Sequence, residues 1–229
     1  MAWVSVERIT DLSGPTLFFQ DFQREDEESS RYYCLALNPA LHRVEAHTLK
    51  VPSIDDKVAA TLDLDGAAIV EDDSSDSLAP TDVNQVWVST RVLDTPSDAP
   101  RYTLRSSESR FITSDRSGGV SAMAEARGPL EEWRLVEVKE GEVRGKFCLQ
   151  SANNTLLGLD EMAGGKMVVR SDFEVKEGEE AGSSEQWQVR VQWKYREQAR
   201  KKEQGEKPLR ERDISFKRAK TTTTSLSSK

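Results

Sequence analysis

RYTLRSSESRFITSDRSGGVSAMAEARGPLEEW, residues 101 to 133, is one copy of an internal repeat. Its opening, Arg101-Tyr102-Thr103-Leu104-Arg105-Ser106, returns 45 residues later as Lys146-Phe147-Cys148-Leu149-Gln150-Ser151. The offset then holds without a gap. Phe111-Ile112 become Leu156-Leu157, and Asp115 becomes Asp160. A double glycine follows in each copy, Gly118-Gly119 and Gly164-Gly165, and each closes on Glu132-Trp133 or Gln186-Trp187. A fixed period of this length is the mark of a repeat architecture.

Each unit divides into four short strands. The first alternates aromatic-x-Leu, which sets Tyr102 and Leu104, or Phe147 and Leu149, on one face. The second carries Phe111-Ile112 or Leu156-Leu157 and ends on Asp. That Asp can accept from backbone amides two residues on, and the glycines after it accept positive φ, so a tight turn follows. The third runs from Val120 to Met123 or from Met167 to Val169. The fourth carries Trp133-Leu135 or Trp187-Val189-Val191. A degraded third copy lies upstream: Thr16 to Phe19, then Cys34 to Asn38 in the Phe111-to-Asp115 slot, Val44, and Gln85-Val86-Trp87-Val88. It is longer by a polar insertion, about Ser53 to Asp82.

Twelve short strands in three units solve their edge problem by closing on one another. The fold expected is all-β, a β-trefoil of three four-stranded repeats, with a helical to disordered C-terminal extension. Residues 1–13 form an N-terminal segment, in which Trp3, Val4 and Val6 either add a strand or fray. The trefoil spans 14–193, with repeats at about 14–92, 101–138 and 146–191, and a basic tail covers 194–229. Tyr102, Leu104, Phe111, Trp133, Phe147, Leu149, Leu156 and Trp187 are expected to line one core. The insertion is expected to be dispensable for folding.

Charge is unevenly distributed. The chain of 229 residues has a net charge of −8. From Lys194 onward there are 12 basic and 5 acidic residues, a balance of +7, so the remainder carries about −15. This disfavours a uniform nucleic-acid groove on the body and suits a basic extension meeting an acidic partner. Lys194 to Lys207 is rich in helix formers and reads as a fraying helix. Removing the tail should therefore leave the melting temperature of the body unchanged. The two cysteines, Cys34 and Cys148, fall inside strands and read as buried thiols in a reducing compartment. The start, MAWVSVERITD, lacks a basic n-region, and no stretch has the length of a membrane span. The expectation is an intracellular, soluble protein.

No catalytic, cofactor-binding or metal-binding residues emerge, and the protein is expected not to be an enzyme. His42 and His47 have no Cys or acidic partner at metal-ligand spacing. Asp115 and Asp160 recur because the turn recurs, which is no basis for an acid/base pair. Asp72-Asp73-Ser74-Ser75-Asp76 lacks the spacing of a calcium loop. Gln85-Val86-Trp87 matches the Q-x-W signature of sugar-binding trefoils, but the other copies begin with Glu131 and Glu185. If Val86 and Val88 point inward, Trp87 points out with Ser89 and Arg91, making Trp87 a candidate exposed partner contact.

Three runs resemble the FSHD-region-gene family, and its fungal members especially: Thr81-Asp82-Val83-Asn84-Gln85-Val86-Trp87-Val88, Ala124-Glu125-Ala126-Arg127-Gly128-Pro129 with Glu132-Trp133, and Leu159-Asp160-Glu161 with Ala163-Gly164-Gly165-Lys166-Met167. The resemblance covers roughly Gly14 to Tyr195. It implies a fascin-like β-trefoil in a nuclear, largely nucleolar protein with a cytoplasmic pool. It also implies a non-enzymatic scaffold for pre-mRNA splicing and rRNA processing. The implied partners are proteins of the spliceosome or pre-ribosomal particles, RNA and actin filaments, with no membrane and no small-molecule substrate. The alternative is a cytoskeletal actin-filament-binding and bundling protein; an intracellular sugar-binding trefoil is more remote. Animal members carry a lysine-rich N-terminal segment that is not found here. Nuclear targeting and RNA contact are therefore assigned to Arg200, Lys201, Lys202, Lys217, Arg218 and Lys220.

Overall fold

A computed structural model describes residues 2–23, 31–50, 78–93, 95–96, 99–138, 145–174 and 181–205. Its strands are β1 (Trp3–Ser5), β2 (Gly14–Phe22), β3 (Arg31–Asn38), β4 (Arg43–Leu49), β5 (Trp87–Arg91), β6 (Arg101–Arg105) and β7 (Phe111–Ser114). They continue with β8 (Val120–Ala124), β9 (Glu132–Glu137), β10 (Lys146–Gln150), β11 (Thr155–Met162), β12 (Lys166–Glu174) and β13 (Trp187–Gln192), before helix α1 (Trp193–Gly205). Among the described residues the fold is all-β apart from α1 and short 3₁₀ turns.

Antiparallel pairing closes a ring through β2, β5, β6, β9, β10 and β13, and back to β2. Closure gives each of these strands two neighbours, which removes the exposed edges that invite aggregation. The pairs β3–β4, β7–β8 and β11–β12 stand off the ring as hairpins. They meet one another: Arg43 pairs with Ser121, the Ala122 amide donates to the His42 carbonyl at 2.8 Å, and the Ser171 amide donates to the Gly118 carbonyl at 2.9 Å.

The turns behave as the repeat predicts in two of the three hairpins. Asn38 Oδ1 accepts from the amides of Ala40 (3.1 Å) and Leu41 (3.2 Å). Asp115 Oδ1 accepts from those of Ser117 (2.8 Å) and Gly119 (2.9 Å). Asp160 departs from this pattern. It lies within β11 opposite Val168, and the chain reverses later, where the Gly165 amide donates to the Met162 carbonyl at 3.0 Å.

The repeat is deepest in its tryptophans. A 3₁₀ turn precedes each fourth strand: Val83–Gln85, Pro129–Glu131 and Ser183–Glu185. Trp87, Trp133 and Trp187 follow, all with no exposed surface. Each Nε1 donates to the backbone of the second strand in its unit: to Leu35 O at 3.0 Å, Ile112 O at 3.1 Å and Leu157 O at 2.8 Å. A buried indole N–H needs such a partner, and the hairpin carbonyl supplies it three times over. Trp87 is therefore a core anchor, contrary to its expected role as an exposed contact. Ser89, on the same face, is also buried, with its Oγ 2.7 Å from Thr16 Oγ1.

Tyr102, Leu104, Trp133, Phe147, Leu149 and Trp187 belong to one core cluster, as expected. Phe111 and Leu156 do not. Their neighbours Ile112 and Leu157 take those core positions, at a register shift on each side: between Phe111 and Thr113, and between Leu156 and Gly158. Cys34 and Cys148 are buried free thiols, and burial pushes them up to about 12 and about 11 respectively.

The N-terminal segment adds a strand, one of its two expected outcomes: β1 pairs with β13, and the Val6 amide donates to the Val189 carbonyl at 2.9 Å. The end of the insertion is also structured. Leu78 is fully buried, and its carbonyl accepts from Nη1 of the buried Arg190 at 3.0 Å. Asp82 then caps the 3₁₀ turn at Val83–Gln85, and its own amide donates in return to Gln85 Oε1. The insertion before Leu78, residues 51–77, lies outside the described residues.

Candidate functional site: the docked helix and its groove

Helix α1 continues directly from β13, and sequence alone gives it no reason to stay on the body. Two features hold it there. Gly14 has φ +72°, and a Cβ on it would stand 2.5 Å from Tyr195 Cδ1. Only glycine accepts that φ without strain and leaves room for the tyrosine ring. The second feature is an ionic latch. Arg200 Nε donates to Asp11 Oδ1 and Arg200 Nη2 to Asp11 Oδ2, both at 2.8 Å, the fork geometry favoured for arginine and carboxylate. Arg200 Nη2 also reaches Glu7 Oε2 at 3.1 Å. Arg196 Nη1 donates to the Ser5 carbonyl at 3.1 Å, and Arg8 lies 3.4 Å from Asp11 and 3.7 Å from Glu203.

Asp11 has no exposed surface. Burial by itself would raise its pKa, but the hydrogen bonds and charge of Arg200, with Arg8 adding to them, outweigh burial and hold the carboxyl below the usual range. The Arg200 guanidinium is raised in turn, chiefly by its hydrogen bond to Asp11.

The helix is thus docked, where a fraying tail was expected, and its basic residues split into two sets. Arg200 turns inward and is committed to Asp11, which removes it from the expected targeting and RNA-contact group. Lys201 and Lys202 are exposed. Lys217, Arg218 and Lys220 lie outside the described residues.

Docking α1 beside the 3₁₀ turn Ile9–Asp11 and strand β5 leaves a groove of about 960 Å³. Its walls include Gly14, Val88, Thr90 and Val92 from the body, with Tyr195 and Gln198 from the helix. Three cationic side chains line it, Arg91, Arg127 and Lys202, together with one carboxylate, Glu203. Tyr102 reaches it from below; its hydroxyl donates to the Ile9 carbonyl at 2.8 Å, and burial pushes its pKa up to about 12. Nothing in the spacing of Arg91 and Arg127 marked them in the sequence. Asp11 was equally silent, since its partner lies 189 residues away.

The Gln or Glu two residues before each tryptophan has a structural task. Gln85 Oε1 accepts from the amides of Thr81 (2.8 Å) and Asp82 (3.3 Å). Gly128 and Gly182 would each place a Cβ 2.8 Å from Oε2 of the glutamate three residues on, Glu131 and Glu185. These glycines leave space for the carboxylate to fold back over the turn. The glutamine of the Q-x-W pattern is accounted for by its capping bonds at Gln85. His42 Nδ1 lies 3.1 Å from Glu108 Oε2, and His47 Nε2 lies 3.9 Å from Glu45 Oε2. Among the described residues, no group of three His, Cys, Asp or Glu side chains is arranged to hold a metal ion.

No protein-family model matches the chain, and no curated protein matches it. Among solved structures it is similar to that of Cry35Ab1, with 12% identity and a TM-score of 0.43 over 79% of this chain; the match spans only 36% of the Cry35Ab1 chain. It is also similar to the Haemophilus ducreyi cytolethal distending toxin, with 9% identity and a TM-score of 0.41 over 74% of this chain and 80% of that one. A third similar structure is the BEL beta-trefoil, with 11% identity and a TM-score of 0.41 over 76% of this chain and 93% of that one. At these scores none of the three informs what this chain binds.

Proposed function

We propose that this all-β chain is a fascin-like β-trefoil of the FSHD-region-gene type that acts without catalysis, as a nuclear and nucleolar scaffold of RNA-processing particles. The trefoil designation is supported by the six-membered ring, the three hairpins and the three equivalent tryptophan bonds. The nuclear and RNA-processing assignment is supported by the sequence runs around Trp87, Arg127 and Gly164. The observation that carries the scaffold reading is the latched helix. Arg200 fixes α1 to Asp11 of the body, so Lys201 and Lys202 are presented from one defined place. Lys and Arg on such an extension contact phosphates in a sequence-tolerant, salt-sensitive way, while the body selects a protein partner.

The test is cell fractionation, with and without RNase, of the full chain and of a chain ending at Gly205. The full chain should co-sediment with nuclear RNA particles, and the shortened chain should lose nuclear signal and particle association. Equal nuclear particle association of both chains would refute the role of the extension. Recovery of the full chain with actin filaments instead would favour the cytoskeletal alternative.

A further inference from the structure

We propose that the groove between α1 and β5 is a docking site for a short, extended acidic peptide of a partner protein. Several features of the groove lead there. It is an arginine-lined concavity. Arg91 and Arg127 both face it and both are exposed; among the described residues neither has a carboxylate partner. Arginine rather than lysine supplies most of this charge, and a guanidinium fork binds a carboxylate through two parallel bonds. The carboxylate on the same walls, Glu203, stands 3.7 Å from Arg8, which offsets its charge. Lys202 adds a third cation from the helix wall.

Apart from Gln198, the remaining lining is apolar or hydroxylic. Val88, Val92, Leu93 and Tyr195 offer surface for an aliphatic side chain between two acidic ones. Leu93 is 80% exposed on the groove wall. A volume of about 960 Å³ lies at the upper end of the range for drug-sized ligands, so it suits several peptide residues better than one small anion. The net charge of −8 favours a short acidic peptide over RNA, because long-range repulsion grows with the length of a polyanion. Strand β6 pairs with β5 from Val88 to Arg91, and β2 pairs with its other edge from Trp87 to Ser89. The charge that selects an acidic peptide comes from side chains, chiefly the two arginines.

The experiment is fluorescence anisotropy on the full chain with a labelled octapeptide alternating Asp or Glu with Leu. Two probes accompany it: the same peptide with Asn and Gln in place of the acids, and a labelled single-stranded RNA 12-mer. The acidic peptide should bind saturably and more weakly as salt rises. Binding should drop by about tenfold or more in R91E/R127E and by less in R91K/R127K, because each lost fork removes a charge-assisted pair. Both variants change exposed side chains, and circular dichroism should show the native sheet. Neutralising Lys217, Arg218 and Lys220 should leave peptide binding unchanged, which separates this site from the extension. Three results would overturn the proposal: no saturable binding, equal binding of the uncharged peptide, or tighter binding of the RNA that the same arginine reversals abolish.

Discussion

Replacing Arg200 with alanine tests whether α1 is latched. The wild-type side chain makes two charge-assisted bonds to Asp11, whose carboxylate has no exposed surface. Removing one partner of a buried ion pair costs about 3–5 kcal/mol when the remaining charge stays dry. Here Arg200 keeps 25% of its side chain exposed and itself covers Asp11, so water reaches the carboxylate once the guanidinium is gone. That lowers the expected loss to about 2–3 kcal/mol; the contact to Glu7, which is 60% exposed, adds little. For a domain of this size each kcal/mol shifts the melting temperature by about 2–4 °C, so Arg200→Ala should melt roughly 4–12 °C lower at pH 7. Asp11→Asn should cost less, because it strands no charge and Arg200 can turn to solvent. The double variant should melt above Arg200→Ala alone, the sign of direct coupling. Acid supplies an internal control. The folded-state pKa of Asp11 is below its ordinary value of 3.8, so its stabilisation is complete above that value and is lost as pH falls through the folded pKa. The gap between wild type and Arg200→Ala should therefore begin to narrow as pH falls below about 4. Differential scanning calorimetry from pH 3 to pH 7 reads all of this. If Arg200→Ala melts with wild type at pH 7, or the gap does not change with pH, the latch contributes nothing and the reasoning fails.

Other consequences can be checked separately. Trp87→Phe, Trp133→Phe and Trp187→Phe each orphan one hairpin carbonyl and should each cost about 1–3 kcal/mol by urea titration; widely unequal losses would count against equivalent roles. Gly14→Ala should release Tyr195 and lower the melting temperature, because its Cβ would sit 2.5 Å from the ring; full retention of stability would show that α1 docks by other means. A chain cut after Gly205 should melt with wild type, whereas one cut before Lys194 should melt lower; equal melting of the two would remove the helix from the fold. Cys34 and Cys148, pushed up to about 12 and about 11, should resist a thiol reagent at pH 8 until the chain unfolds; rapid labelling of the native protein would contradict their burial.

Much of the barrel could be read from residues. Aromatic-x-Leu at Tyr102 and Phe147 located the strands that open two units, and Asn38 and Asp115 located turns, because period and turn chemistry are local properties. Phase was harder. Phe111-Ile112 and Leu156-Leu157 are adjacent apolar pairs, and either member can face inward until a register shift decides. At Trp87 the flanking valines suggested the opposite face; the 3₁₀ turn at Val83–Gln85 sets the phase there, and three residues of it leave no periodic trace. The site was least legible. Arg200 sits in a basic run that looks solvent-facing, and its partner Asp11 is an isolated acid far upstream. Arg91 and Arg127 line one groove only because the chain folds back on itself.

The position of β13 between β1 and β2 has a bearing on how the chain comes off the ribosome. The strand that fills this seam is the last of the described strands to be made. Until Trp187 to Gln192 emerges, β1 and β2 stand with unmatched amides, and Asp11 waits for an arginine that has not yet been translated. The first unit is therefore synthesised early but completed late. Closing a ring between residues some 170 positions apart adds a long loop-closure cost that must be met before the seam forms, which slows folding.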